Sequence, residues 1–206
     1  LFFRKKFMNI EFPYWYFDSA ISSEKCDEII DLAKTKDKSS GSLISNKKKE
    51  SISNNVIRNS TVAWVNDKWI FELIHPYIHA ANKQAGWNFQ WEFSEPCQFT
   101  EYNKGQFYGW HCDSHIKPYD KPGNPRHGKI RKLSMTLTLS DKKEYEGGDL
   151  EFNYKSTKGN VKPVVDALRN KGSLIVFPSF IWHRVTEVKS GKRNSLVCWN
   201  IGNPFK

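Results

Sequence analysis

Two short stretches constrain this chain of 206 residues more than anything else in it: Tyr102 to Asp113, and Trp182 to Trp199. His111 and Asp113 are two apart, so on an extended strand both side chains leave the same face. A third donor, His183, follows Leu174-Ile-Val-Phe177, a run that reads as a buried strand and delivers the imidazole at a strand end. Taken alone, His-x-Asp is a weak signal, because a chain with 6 His and 22 acidic residues is expected to show such a pair by chance. What strengthens it is Arg193. The alternation Arg193, Ser195, Val197, Trp199 sets this guanidinium on one strand face with apolar neighbours, an arrangement suited to bidentate pairing with a buried carboxylate.

Two imidazoles and one carboxylate form the facial triad of non-haem Fe(II) sites, which leaves coordination positions open. The order Tyr-x8-His-x-Asp, then His-x9-Arg, then Trp resembles the 2-oxoglutarate and Fe(II)-dependent dioxygenases of the prolyl 4-hydroxylase type. Leu133-Ser-Met-Thr-Leu-Thr-Leu-Ser140, Tyr145-Glu-Gly-Gly-Asp-Leu150 and the stretch from His183 to Arg193 are particularly similar to the bacterial PKHD-type hydroxylases. The resemblance spans roughly residues 14 to 202. It implies an Fe(II) catalytic centre at His111, Asp113 and His183, with 2-oxoglutarate and O2 as cosubstrates and ascorbate as a possible reductant. It further implies that Arg193 and Tyr102 hold the distal carboxylate of 2-oxoglutarate, that Leu150 and Thr138 line its chain, and that succinate and CO2 are released. Tyr108, Arg131 and Trp199 match positions that contact a target proline or its backbone, so the implied partner is a proline-containing peptide or protein. Asp113 leaves no vacancy for a halide, which favours hydroxylation over halogenation.

The length suits one domain, residues 1–206, with a sizeable core. Residues 1–85 read as mainly helical support. In them Cys26, Ile29, Ile30 and Ala33 recur at helical spacing behind a cap at Ser22 or Ser23, and Trp69, Ile70, Leu73, Ile74, Tyr77 and Ile78 form a stripe on a second helix from about 66 to 85. Between these helices, residues 36–55 are nearly all polar and read as a mobile loop, followed by a single strand over 58–64. Residues 87–202 read as the core. Strands are expected at about 87–94 and 96–103, and residues 131–140 alternate, with Leu133, Met135, Leu137 and Leu139 toward the helices and Ser134, Thr136 and Thr138 toward a cavity. Many short strands after two helices predict an α+β fold with a double-sheet jelly roll. The resemblance implies the same fold, a double-stranded β-helix with the N-terminal helices on its larger sheet.

Other features weigh less. His75 and His79 are four apart on the second helix but have no partner motif, His115 lies too far along the strand to share an ion with His111 and Asp113, and His127 sits in a Pro- and Gly-containing loop over 116–129. Four cysteines without Cys-x-x-Cys spacing are expected to be reduced thiols, and Cys112 should point away from the metal. With no membrane span in the sequence, the expectation is a cytoplasmic, soluble protein, monomeric or weakly oligomeric. The net charge of +10 keeps a nucleic-acid partner open without favouring it. The alternatives are the same oxygenase chemistry on another amino-acid side chain or on methylated nucleic acid, or a non-catalytic cupin-like binding module. Nucleic-acid demethylases typically carry a second arginine six residues after the first, where this chain has Trp199.

Overall fold

A computed structural model describes residues 10–41, 43–44, 56–114, 117–156, 159–161 and 166–205. His115 and most of 42–55 lie outside the described residues. In chain order the elements are β1 (Trp15–Phe17), α1 (Ser23–Lys34), β2 (Lys38–Ser40), β3 (Leu43–Ile44), β4 (Val56–Asn59), β5 (Thr61–Val65), α2 (Lys68–Gln84), β6 (Phe93–Ser94) and β7 (Cys97–Asn103). They continue with β8 (Phe107–His111), β9 (Ile130–Thr138), β10 (Tyr145–Gly147), β11 (Leu150–Ser156), β12 (Gly159–Val161), β13 (Leu174–Pro178), β14 (Trp182–Val185) and β15 (Val188–Gly202).

The strands form two antiparallel sheets. The larger runs β1-β13-β9-β15-β7-β5-β2, with β10 and β6 also paired to β15, and the smaller runs β12-β11-β14-β8-β4-β3. One face of the larger sheet receives both helices: Ile29, Ala33, Ile70, Ile74 and Ile78 pack with Leu133, Met135, Leu137, Leu139 and Leu196 in one apolar cluster. A second cluster, including Phe152 and Val185 of the smaller sheet and Ile175 and Phe177 of the larger, joins the two sheets face to face. This is the double-stranded β-helix with helices behind its larger sheet. The alternation along β9 divides as its sequence dictates, with the aliphatic side chains in the helix-backed core.

Local chemistry sets the helix ends. Ser22 Oγ accepts from the Lys25 amide at 3.3 Å and caps α1, and Cys26, Ile29 and Ala33 form its buried stripe. Helix α2 continues through Pro76, with Ile70, Ile74, Ile78 and Ala81 buried on one side. Ile74 is fully buried, so Ile74→Ala is expected to cost about 2–5 kcal/mol through lost transfer energy and the cavity left behind. A lowered urea midpoint with an unchanged slope checks this.

Three expectations are corrected. Within the polar 36–55 stretch, Lys38–Ser40 forms a strand on β5 and Leu43–Ile44 pairs with β4, because backbone pairing at a sheet edge requires no apolar side chains. Residues 87–92 are irregular, and only Phe93–Ser94 of the expected strand pairs. Here the Asn82 side chain captures the amide and carbonyl of Phe89, and Trp87 Nε1 donates to Phe12 O at 2.8 Å. The 58–64 segment is two strands, with β4 in the smaller sheet and β5 in the larger, and the chain changes sheets at Ser60. No helix of the described residues is long and apolar enough to cross a membrane.

Candidate active site

Antiparallel pairing of β14 with β8 sets His183 opposite His111. Asp113 lies in a bend two residues beyond, just past the end of β8 rather than within it, where its amide and that of Ser114 both donate to Ser179 O, at 2.8 and 2.9 Å. One donor atom from each of the three residues falls within 4.8 Å of the other two. His111 Nε2 is 3.7 Å from Asp113 Oδ1, and His183 Nε2 is 3.6 Å from Asp113 Oδ2.

The hydrogen bonds around the cluster fix which atoms face inward. His111 Nδ1 lies 2.8 Å from Gly109 O and His183 Nδ1 lies 2.9 Å from Ile181 O. A carbonyl only accepts, so on each ring Nδ1–H makes this bond and Nε2 is the nitrogen turned toward Asp113. Burial, reinforced by the neighbouring His183, pushes His111 down to about 4, so this imidazole is already in its ligating form at neutral pH. Burial opposes ionisation of Asp113, but the two imidazoles, Arg131 and a hydrogen bond from Ser134 hold its carboxyl below the usual carboxylate range. Ser134 Oγ donates to Asp113 Oδ2 at 2.7 Å and lies 2.9 Å from Ser179 Oγ. Ser134→Ala frees that carboxylate oxygen, and metal affinity measured by titration is expected to fall about 10–100-fold with the melting temperature little changed.

The cluster opens on a small cavity between the sheets. Tyr102, Leu150, Arg193 and Trp199 line it, as does Tyr108, whose ring stacks on His111 with centroids 3.5 Å apart. Arg193 is 3% exposed. Its guanidinium lies 5.6 Å from the Tyr102 ring centroid and donates to Ser195 Oγ at 3.2 Å, and no carboxylate pairs with it among the described residues. Burial holds the Tyr102 hydroxyl protonated by raising its pKa, so it is a donor at neutral pH. Trp199 Nε1 is buried without a hydrogen-bond partner.

Two sequence-predicted residues lie elsewhere. Thr138 lines a smaller pocket that shares Leu150 and Arg193 with the main one, and its hydroxyl donates to Leu168 O at 2.8 Å. Arg131 lines a neighbouring groove, where it pairs with the buried Glu95 carboxylate at 2.6 Å and stacks 3.8 Å over Trp199. His75 and His79 pack with Trp91, and His75 Nε2 lies 2.9 Å from Ser94 Oγ; among the described residues the only metal-type cluster is His111, Asp113 and His183. All four cysteines are free thiols, and Cys112 Sγ donates to Ser114 O. The sequence reading missed Arg58, a second buried guanidinium in the cavity wall. Its signal was a charged residue beside a sheet-changing Ser60, hidden by reading 58–64 as one strand.

A double-stranded β-helix whose cavity holds two imidazoles, a carboxylate and a buried arginine has the frame of a metal-dependent oxygenase. The chain belongs to the 2OG-Fe(II) oxygenase superfamily, whose family model matches residues 97–200. Among curated proteins it is 37% identical to a PKHD-type hydroxylase of Alteromonas mediterranea and 34% identical to one of Shewanella oneidensis, each over 105 residues. Those matches cover 50% of this chain and 42% of each relative, so the matched segment spans less than half the length of the curated relatives. Among solved structures it is similar to the viral collagen prolyl hydroxylase of Paramecium Bursaria Chlorella virus-1 in complex with 2OG, with a TM-score of 0.62, 20% identity, and coverage of 93% of this chain and 97% of that one. A prolyl-4-hydroxylase of Pseudomonas putida gives a TM-score of 0.56 at 20% identity, covering 91% of each chain. At these identities the likeness to solved structures is one of fold.

Proposed function

We propose that this chain is an Fe(II)- and 2-oxoglutarate-dependent dioxygenase that hydroxylates a prolyl residue in a peptide or protein. The observation that carries the reading is Arg193, a buried guanidinium with no carboxylate partner among the described residues, in the same cavity as the three-donor cluster. A buried unpaired charge is costly, and a bound carboxylate removes that cost. The donor set fits Fe(II): two imidazoles with Nε2 turned inward and one ionised carboxylate. When bound, Fe(II) would let O2 oxidise 2-oxoglutarate to succinate and CO2, with one oxygen atom going to succinate and the other to the substrate.

The chain's own groups position the reactants. His111, Asp113 and His183 hold the metal, with Ser134 steering the Asp113 carboxylate. Arg193 pairs with the distal carboxylate of 2-oxoglutarate, Tyr102 donates a hydrogen bond to it, and Leu150 lines its chain. On the substrate side, Tyr108 and Trp199 border the space for a pyrrolidine ring, and we assign the unpartnered Trp199 Nε1–H as a donor to a peptide carbonyl. Arg131 acts by holding the Trp199 ring in place through its stack. We take the two sheets and two helices to work as one catalytic unit. The four free thiols support a reducing, intracellular setting.

The test is succinate release from 2-oxoglutarate by protein loaded with Fe(II) anaerobically, then given O2 and ascorbate, with and without a panel of proline-containing peptides. Stimulation by particular peptides, with one oxygen atom added to proline, is the expected result. Consumption of 2-oxoglutarate that no proline peptide stimulates would remove the prolyl assignment and leave the oxygenase.

A further inference from the structure

Two guanidinium groups line the cavity, and the proposed chemistry uses one of them. The other, Arg58, is 7% exposed, and every contact recorded for it is to a neutral group. Its Nε donates to Ser60 Oγ at 2.8 Å, and one terminal nitrogen donates to Gln98 Oε1 at 2.8 Å and to Thr100 Oγ1 at 3.3 Å. Its plane lies 4.7 Å from the centroid of the Tyr108 ring. No carboxylate pairs with Arg58 among the described residues, and the one carboxylate lining the cavity, Asp113, is faced by the two imidazoles.

The charges do not cancel when the site is loaded. A divalent ion and a dianionic cosubstrate neutralise each other, and Asp113 offsets one of the two guanidinium groups. One buried positive charge is left over. Neutral hydrogen-bond partners hold Nε and one terminal nitrogen of Arg58 without neutralising it, and an uncompensated buried charge is costly. Nor is there room for the side chain to retreat: a Cβ on Gly41 would lie 2.5 Å from Ser60 Oγ and 3.2 Å from Arg58 Nε, so the backbone at Gly41 closes the back of this corner.

We propose that Arg58 is an anion subsite and that the substrate carries a carboxylate beside the residue that is oxidised. Arg58, Tyr108 and His111 form one stacked column, so a carboxylate seated on Arg58 lies only two layers from a metal ligand. At about 3.8 Å between successive Cα atoms, that reach limits the carboxylate to an Asp or Glu next to the reacting residue, or to a chain-terminal carboxylate on or next to it. The substrate class is thus an acidic peptide segment or a free chain end. This rests on reading the pocket as a 2-oxoglutarate and Fe(II) site.

The test uses the full chain loaded with Mn(II) and 2-oxoglutarate without O2, so that binding is read apart from turnover, by tryptophan fluorescence. The probes are end-blocked peptides with a central proline or a central alanine, flanked on either side by Asp or by its isostere Asn, together with a set ending in a free carboxylate. One acidic placement is expected to bind about 10–100-fold tighter than its Asn or amide counterpart. That ratio should fall towards one in Arg58→Gln and be partly retained in Arg58→Lys. Whether the side chain or the chain end gives the gain identifies the source of the carboxylate. Acidic and neutral probes that bind alike at every placement would overturn the proposal, as would a ratio unchanged in Arg58→Gln. The wild-type ratio decides the matter even where Arg58→Gln does not fold. An intact acidic preference with no gain from proline over alanine supports the anion subsite and removes only the prolyl reading.

Discussion

His183→Ala is expected to lose Fe(II) binding and 2-oxoglutarate turnover together while keeping its fold. Loss of a partner that merely orients a metal ligand costs about 10–100-fold in affinity, so loss of the ligand itself is expected to exceed about 100-fold. His183 has no substitute nearby: it faces His111 across the β8–β14 pair, and among the described residues no fourth metal-type donor joins the cluster. The ring also fills space, packing 4.7 Å from Phe177 by ring centroids, so alanine leaves a void and the melting temperature should drop modestly. His183→Gln keeps much of the volume and serves as the control. Equilibrium dialysis against Fe(II) or Mn(II), beside succinate release, separates the two effects. A variant that still binds metal like the wild type would mean that the cluster is not the metal site.

Arg193→Gln is the second large effect, and it should differ in kind. The metal donors are untouched, so Mn(II) affinity is expected to stay near wild type while the apparent KM for 2-oxoglutarate rises. Removing one partner of a buried charge pair costs about 3–5 kcal/mol, which corresponds to roughly 100- to 1,000-fold or more in affinity. Arg193→Lys should recover part of this, since a point charge remains but the planar fork that meets both oxygens is lost. The Tyr102 hydroxyl cannot compensate, because burial keeps it protonated and neutral. Steady-state kinetics over a range of 2-oxoglutarate, with metal binding measured separately, gives the split; a fall in kcat at unchanged KM would assign Arg193 a different role.

Much of the fold was legible because it rests on period and spacing. Leu133, Met135, Leu137 and Leu139 announce a strand with one buried face, and they meet the apolar stripe of α2 as their alternation requires. His111, Asp113, His183 and Arg193 were legible as a candidate cluster because imidazole, carboxylate and guanidinium groups at these spacings form a set, and the structure gathers them in one cavity. What stayed hidden depends on contacts between distant residues. The Ser134 bond to Asp113 joins positions 21 apart through strand pairing that no local pattern announces. Arg58 looked like the start of an ordinary strand because a change of sheet at Ser60 leaves no mark in hydrophobic periodicity. Lys38–Ser40 was missed for the opposite reason: a strand exposed along its whole length at a sheet edge has no apolar face to show.

Ser179 ties the cluster together from behind. Its carbonyl receives the amides of Asp113 and Ser114, its hydroxyl meets Ser134, its own amide donates to Lys132 O, and four residues later the chain reaches His183. The donors thus belong to segments already knotted to one another by the backbone, so an incoming ion does not have to organise the polypeptide. The free energy of coordination at the proposed site would then go mainly into holding the ion, and it would add to the stability of the folded chain, because the gathered donors exist only in the folded state.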